Sequence, residues 1–417
     1  MANSINPSRT TEGSTSEVDI AIAGGGMVGL TLAYALRQVA PDKTIAIIEQ
    51  QPAQQASVSF DSRSIALAAG SIKQLAAWRL WPSLAAKACP IQHIHVSDRG
   101  HFGKCYLAAE SLGVSELGAV LEVEHLGQAV QQHLAAASAE PLQWYRPDHI
   151  TALHSDIDAV QLQLSSGHSL KAGLLVICEG GGSPTRQLAG FQSKHQAYQQ
   201  TAVIANLALD QPHQQRAFER FTEHGPIALL PLNEQRYSLV WTTASSEAAH
   251  LMQLDDSQFL AAVQQAFGYR AGRFSRAGQR SSYPLALRQA ESPVRHRIAL
   301  AGNSLHSLHP IAGQGFNLAL RDITALVDGV LTYPSAIGGY SMLRQYQQAR
   351  QHDMQQVVHF TDGLVRLFSN PSRLVALGRN LGLVGMLLCD ELQQPLAQQA
   401  MGLQASATKS AFFQAAR

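Results

Sequence analysis

Cysteine is scarce and scattered in this chain. The four residues Cys89, Cys105, Cys178 and Cys389 form no CxxC pair and sit at no Cys/His ligand spacing. That excludes a disulfide framework and a zinc finger, and it fits buried thiols in a reducing compartment. The 17 histidines form no HxxxH or HExxH arrangement on a helix-forming stretch, so no metal is expected. An excess of charge is missing too: 31 Lys and Arg stand against 30 Asp and Glu, a net charge of +1. Neither a nucleic-acid partner nor electrostatic capture by an anionic membrane follows from such a balance. No apolar run reaches the roughly 18 residues of a spanning helix. Residues 1–17 are polar and rich in Ser and Thr, without a basic segment leading into an apolar one, and read as a flexible leader, not a signal peptide. A cytoplasmic location is the expectation, with peripheral contact at the inner face of the membrane left open.

What is present begins with glycine. Gly24-Gly25-Gly26-Met27-Val28-Gly29 follows the apolar run Val18 to Ala23, which has the character of a buried parallel strand. Gly24 permits a sharp turn, Gly26 lets a pyrophosphate approach the backbone, and Gly29 lets a helix from Met27 to Ala40 pack on the sheet. A second strand, Lys43 to Ile48, ends at Glu49, where a carboxylate accepts hydrogen bonds from ribose hydroxyls. It would also repel a 2′-phosphate, so the expected nucleotide is an adenosine without one.

A second glycine-rich turn lies near residue 300, with Gly302-Asn303 and then Gly313-Gln314-Gly315-Phe316-Asn317 opening a helix from Gln314 to Val330. Backbone N–H groups at that helix start are suited to negative charge. Between the turns, Leu174 to Cys178 reads as a central strand ending in Glu179-Gly180. Apolar alternation over Thr201 to Leu209 and Tyr237 to Trp241 reads as a more antiparallel sheet. A strand at Arg297 to Ala301 returns to the first unit. The expected organisation is a discontinuous nucleotide domain (18–75, 120–190 and 295–330), an inserted substrate domain (76–119 and 191–294) and a helical C-terminal region (331–417).

These residues carry a family resemblance. The GGGMVG turn, the Glu179-Gly180 segment with Ser183 and Arg186, and the stretch from Gly302 to Asn317 resemble the three fingerprints of the FAD-dependent aromatic hydroxylases, over most of residues 18–330. Asp61 to Leu67, Phe218 to Thr222 with Gly225-Pro226, and His309 to Asp322 resemble the ubiquinone-biosynthesis hydroxylases, in particular the 2-polyprenyl-6-methoxyphenol hydroxylase branch. The resemblance implies an α/β fold in which a Rossmann-like FAD-binding domain carries an inserted, mostly antiparallel substrate domain and C-terminal helices. It implies FAD, with NADH or NADPH as reductant. It also implies O₂ and a polyprenylated phenol as substrates, the oxygen passing through a flavin C4a-hydroperoxide to give a 1,4-benzoquinol.

The cofactor-binding residues it implies are Gly24, Gly26, Gly29, Glu49, Arg63, Glu179, Gly180, Gly302, Asn303, Gly313, Gln314, Gly315, Phe316 and Asn317. His309 and Pro310 are candidates to line the flavin; His306 and His309 are the histidines to weigh as acid–base groups, and no side chain identifies itself as the base. Two positions depart from the family pattern. Glu179 stands where Asp is usual and lengthens the arm by a methylene. Asn303, also for Asp, keeps an acceptor oxygen for a ribityl hydroxyl but loses the charge, a variant closer to the methoxyphenol branch. At the C-terminal end, Gly339 to Leu367 and Leu374 to Leu388 read as amphipathic helices suited to a membrane surface at its inner face, a partner protein of the same pathway, or the protein's own core.

Overall fold

A computed structural model describes residues 15–52, 63–136, 142–307 and 313–368, with residues 380, 382, 397, 398, 401 and 402; inside the last long helix the side chains of 352, 357–362 and 364–368 are not part of that description. Five parallel strands form the centre, in the order Ile298–Leu300, Ser169–Ile177, Thr15–Ala23, Ile45–Ile48 and Leu142–Tyr145. They are near-continuous apolar runs because both faces are covered. Ile20, Ile22, Ile45 and Ile47 pack under the helices Met27–Val39 and Gln314–Thr332, while Ala21, Ala23, Ile48, Leu175 and Ile177 pack on the opposite side. The first strand begins at Thr15 and not at Val18, since its polar start pairs with Ser169 to Lys171 and Glu17 forms an ion pair with Lys171. Strands Ile150–Ser155 and Val160–Leu164 extend this sheet in antiparallel fashion. The latter alternates buried and exposed residues, as a strand with one solvated face should.

A nine-stranded, mostly antiparallel sheet forms the second layer, its principal order being His306–Ser307, Ser281–Ala290, Ser193–Leu209, Arg236–Ala244, Gly225–Leu232, Arg216–Thr222, His93–Asp98 and Lys104–Ala108. Its outer face, with Val203, Leu207, Phe218, Leu229, Tyr237 and Leu239, packs under the helices Ser245–Gln253 and Asp256–Phe267. The second of these helices starts at a capping box between Asp255 and Gln258. A three-stranded sheet of Ser64–Ala68, Gly118–Glu122 and Cys89–Ile91 contacts strand Gly225–Leu232 of the antiparallel sheet and helix Gln314–Thr332.

Of the described C-terminal residues, Asn380, Ala397, Met401 and Gly402 are buried and Gly382 and Gln398 are exposed. Asn380 is fully buried, accepts the Gly103 N–H at 2.6 Å and donates to Asp98 at 3.0 Å. Ala397 and Met401 pack beside Ala69 and Phe221, and the Gly70 N–H donates to the Met401 carbonyl at 2.9 Å. Most of the Leu374 to Leu388 stretch lies outside the described residues. Among the described residues no helix is long and apolar enough to cross a membrane.

Candidate cofactor site

The first turn assigns each glycine a separate task. Gly24 has φ +103°, and a Cβ there would stand 2.9 Å from the Cys178 carbonyl. A Cβ on Gly29 would lie 1.9 Å from the Gly24 carbonyl oxygen, so that position closes the helix onto the turn. Gly26 is exposed, and a Cβ there would meet nothing within 4 Å. The space in front of it is therefore open to a ligand. Helix Met27–Val39 has no side-chain cap and no acid in its first turn, which leaves its N-terminus available to an anion. Glu49 ends the neighbouring strand; its Oε2 accepts the Gly25 N–H at 2.6 Å and its Oε1 the Gln51 N–H at 2.8 Å.

The second fingerprint is locked to the third. Glu179 does not project into the cleft: its carboxylate accepts from the Ser183 hydroxyl at 2.8 Å, the Thr185 N–H at 3.1 Å and the Thr185 hydroxyl at 2.5 Å. It fixes the turn before helix Pro184–Leu188. Gly180 donates to the Ser304 hydroxyl at 3.1 Å, and buried Arg186 donates to the carbonyls of Ser304 at 3.0 Å and Gly181 at 3.1 Å.

Behind the Gly302-Asn303 turn lies a buried network of charges that the sequence reading missed. Fully buried Asp322 accepts from the Gly302 N–H at 2.9 Å, His306 Nε2 at 2.8 Å and Arg350 Nε at 2.6 Å. Arg350 also bonds Asp353 at 2.5 Å, which Arg321 reaches at 2.7 Å. Burial alone would raise the Asp322 carboxyl; the charges of His306 and Arg350, with the hydrogen bonds from His306 and Gly302, overcome it and hold the carboxyl below its usual range. His306 is thereby a structural partner of Asp322, not a group facing a substrate. The signal that could have revealed this network is an Arg-Asp pair inside an otherwise apolar helix stripe.

Asn303 sits exposed at the tip of this turn, with its backbone in a single 3₁₀ turn from Gly302 to Ser304. If its amide accepts a ribityl hydroxyl, Asn303→Asp keeps flavin affinity and Asn303→Leu loses roughly 1–3 kcal/mol. Titration of the apoprotein with FAD checks this; equal affinity for the wild type and the Leu variant removes Asn303 from the site.

At the last turn, Gly313 has φ +60° and a Cβ there would approach Ala66 Cβ to 2.9 Å. Gly315 faces open space, and the helix it opens has neither a side-chain cap nor an acid in its first turn. Phe316 is buried in the core under the parallel sheet, and Gln314 is buried as well. Asn317 is a fastener: its Oδ1 accepts the Ala68 N–H at 2.8 Å and its Nδ2 donates to the carbonyls of Ala66 at 2.8 Å and Gly313 at 2.9 Å. Those bonds clamp strand Ser64–Ala68 against the turn. Arg63, just before that strand, is exposed, and its carbonyl accepts the Val123 N–H at 2.8 Å. His309 and Pro310 lie outside the described residues.

Two uncapped helix N-termini, each beside a glycine with open space in front of it, fit an extended dinucleotide that carries negative charge at both places. The family profile of the FAD binding domain matches residues 17–361. Ubiquinone hydroxylase UbiL of Rhodospirillum rubrum is 35% identical over 94% of this chain and 91% of its own. The 3-demethoxyubiquinol 3-hydroxylase of Escherichia coli is 31% identical over 92% of this chain and 98% of its own.

The chain belongs to the FAD-dependent ubiquinone-biosynthesis monooxygenase family. The hydroxylase shares its fold with p-nitrophenol 4-monooxygenase of Pseudomonas putida, at TM-score 0.75 and 15% identity over 94% of this chain and 99% of that one. As a family member it is a flavoprotein aromatic hydroxylase that uses FAD, with NADH or NADPH as reductant.

Proposed function

We propose that this hydroxylase adds one oxygen to the ring of a polyprenylated phenol, converting 2-polyprenyl-6-methoxyphenol to 2-polyprenyl-6-methoxy-1,4-benzoquinol. The observation that carries the substrate class is the 35% identity, across 94% of this chain, to a relative named as a ubiquinone hydroxylase. In this reading Gly24, Gly26, Gly29 and Glu49 hold the adenosine half of FAD, and Gly302, Asn303 and Gly313 to Gly315 hold the flavin half. Residues 18–75, 120–190 and 295–330 then supply the cofactor body, and 76–119 with 191–294 supply the substrate wall.

Bound FAD, reduced by NAD(P)H, supplies the activation of O₂. The chain's own task is to orient the phenol and keep water away from it. Water in the pocket would divert the activated oxygen to hydrogen peroxide, and an apolar enclosure opposes that. The uncapped N-terminus of helix Gln314–Thr332 stabilises negative charge placed against it, and Asn317 holds that N-terminus in position.

A second reading, hydroxylation at another ring position, is favoured by the 31% identity to a relative named as a 3-hydroxylase. Incubation with NAD(P)H, ¹⁸O₂ and each precursor, followed by mass spectrometry and NMR of the product, separates the two. One ¹⁸O atom para to the phenol oxygen is the expected result. Incorporation next to the methoxy group selects the second reading, and no incorporation rejects both. For a long-tailed substrate, contact with the inner membrane face or with another protein of the pathway is part of this proposal, resting on the low solubility of the prenyl chain.

A further inference from the structure

The nine-stranded sheet carries a carboxyl group that the cofactor site does not use. In strand Arg216–Thr222, Phe218 enters the core under the two helices, while Ala217 and Phe221 face the other way with Cys105, Leu107 and Met401. The two-residue period of a strand therefore puts Glu219 on this inner face. Its register neighbours are Val96 and Ala228, and the row continues through Val240 and Ile204 to Ser281. Val96, Glu219, Val240 and Ile204 are only half-buried, whereas Ala217 and Phe221 beside them are packed. A mainly apolar row left partly uncovered in the middle of a sheet, with a carboxyl in it and a serine at its end, has the makeup of a ligand pocket wall.

A relay of contacts ties this wall to the Gly313 turn. Strand Gly225–Leu232 contacts Gly118–Glu122, and Arg236 on the inner face donates to Glu122 at 3.1 Å. Gly118–Glu122 pairs with Ser64–Ala68, the strand that Asn317 clamps to the Gly313 turn. At the far edge, His306 and Ser307 join the same sheet opposite Gln289 and Arg288. Oε1 of Glu219 is shielded from solvent and has no hydrogen-bond partner among the described residues. A shielded carboxyl with no partner is unfavourable for folding, which marks it as a group held for a ligand.

We propose that Glu219 binds the phenolic hydroxyl of the substrate and takes its proton during hydroxylation, an inference that rests on the phenol hydroxylase reading above. The O–H bond breaks, its electron pair stays on the phenol oxygen and enriches the ring carbons ortho and para to it, and the Glu219 carboxylate holds the proton until the ring carbon that gained oxygen loses its hydrogen as H⁺ to solvent and the phenol oxygen takes the proton back. Burial pushes the Glu219 carboxyl up to about 8, against about 4.3 for an ordinary Glu and about 10 for a phenol, so the transfer is far less uphill than to an exposed carboxylate.

The other ionisable groups on this face and on the elements packed against it have their own settings. Asp98 is held by Asn380 and His101, and Arg236 by Glu122. Burial pushes the Cys105 and Cys89 thiols up. Tyr283 and Lys73 are exposed.

The test uses FAD-loaded enzyme without reductant, a short-chain 2-alkyl-6-methoxyphenol and its O-methyl ether, with Glu219→Gln and Glu219→Asp beside the wild type. Wild-type phenol affinity should rise as the carboxylate forms through pH 8. Glu219→Gln should weaken phenol binding roughly tenfold or more and flatten that rise, with FAD content and ether affinity unchanged and a melting temperature no lower than that of the wild type; Glu219→Asp should retain the pH dependence. Equal phenol affinity and equal pH dependence in wild type and Glu219→Gln overturn the proposal, as does a matching loss for the ether. A wild type that binds phenol through Glu219 but returns no hydroxylated product defeats the hydroxylation reading and the proton transfer with it, and leaves only the binding role of Glu219.

Discussion

Replacing Asp322 with Ala destabilises the protein by roughly 3–5 kcal/mol, because it leaves the buried Arg350 guanidinium without one of its two carboxylates and two further buried donors without their acceptor. Arg350 keeps only Asp353, His306 loses its one described hydrogen bond, and the Gly302 N–H loses its acceptor. Asp322→Asn, which retains the shape and one acceptor oxygen, falls between wild type and Ala. Denaturant unfolding of the FAD-loaded proteins checks the order; a change within about 0.5 kcal/mol, the usual range for surface substitutions, refutes the network's role.

The pH dependence follows from the same group. The folded-state carboxyl is held below its ordinary value, so its contribution is fully present above the unfolded value of about 4 and disappears as pH falls through the lower folded value. The wild-type advantage over Asp322→Asn should therefore shrink in acid and be constant from about pH 5 upward. Because the Gly302-Asn303 turn hangs on this carboxylate, flavin retention should decline together with stability.

Gly26→Val yields a folded protein that leaves gel filtration without flavin. Gly26 has φ −73° and an extended ψ, and a Cβ there meets no protein atom within 4 Å. Valine is thus compatible with the chain itself and occupies only the space in front of the helix N-terminus. Even limited overlap with a bound pyrophosphate costs about 1–3 kcal/mol, on the order of ten- to a hundredfold in affinity. Gly29→Ala is the contrast: its Cβ would lie 1.9 Å from the Gly24 oxygen, so the turn itself breaks and soluble yield falls. A Gly26→Val protein that keeps stoichiometric FAD would remove the pyrophosphate from this turn. Loss of fold in both variants would mean that Gly26 serves packing.

Local rules made the nucleotide-binding half readable. Runs such as Ile45 to Ile48 are apolar without alternation because both sheet faces are covered, and the glycines of the first turn are required by backbone clashes only a few residues away in sequence. Strand, turn, helix and acid therefore announce themselves in order. The third fingerprint was legible for the same reason as far as Gly313 and Gly315.

The sequence alone determined the parallel core, the two glycine-rich turns at its strand ends, and membership of a flavin hydroxylase family. Only the tertiary structure decided which side chains meet. Glu179 turns toward Ser183 and Thr185, Asn317 reaches back 249 residues to Ala68, and Asp322 gathers His306 and Arg350. It also decided that Glu219 faces the uncovered row of the sheet, because that depends on strand register and on which face the helices cover. A carboxylate's sequence position fixes its charge but not its partners, and burial and partners are what separate a structural ion pair from a group that can take a proton.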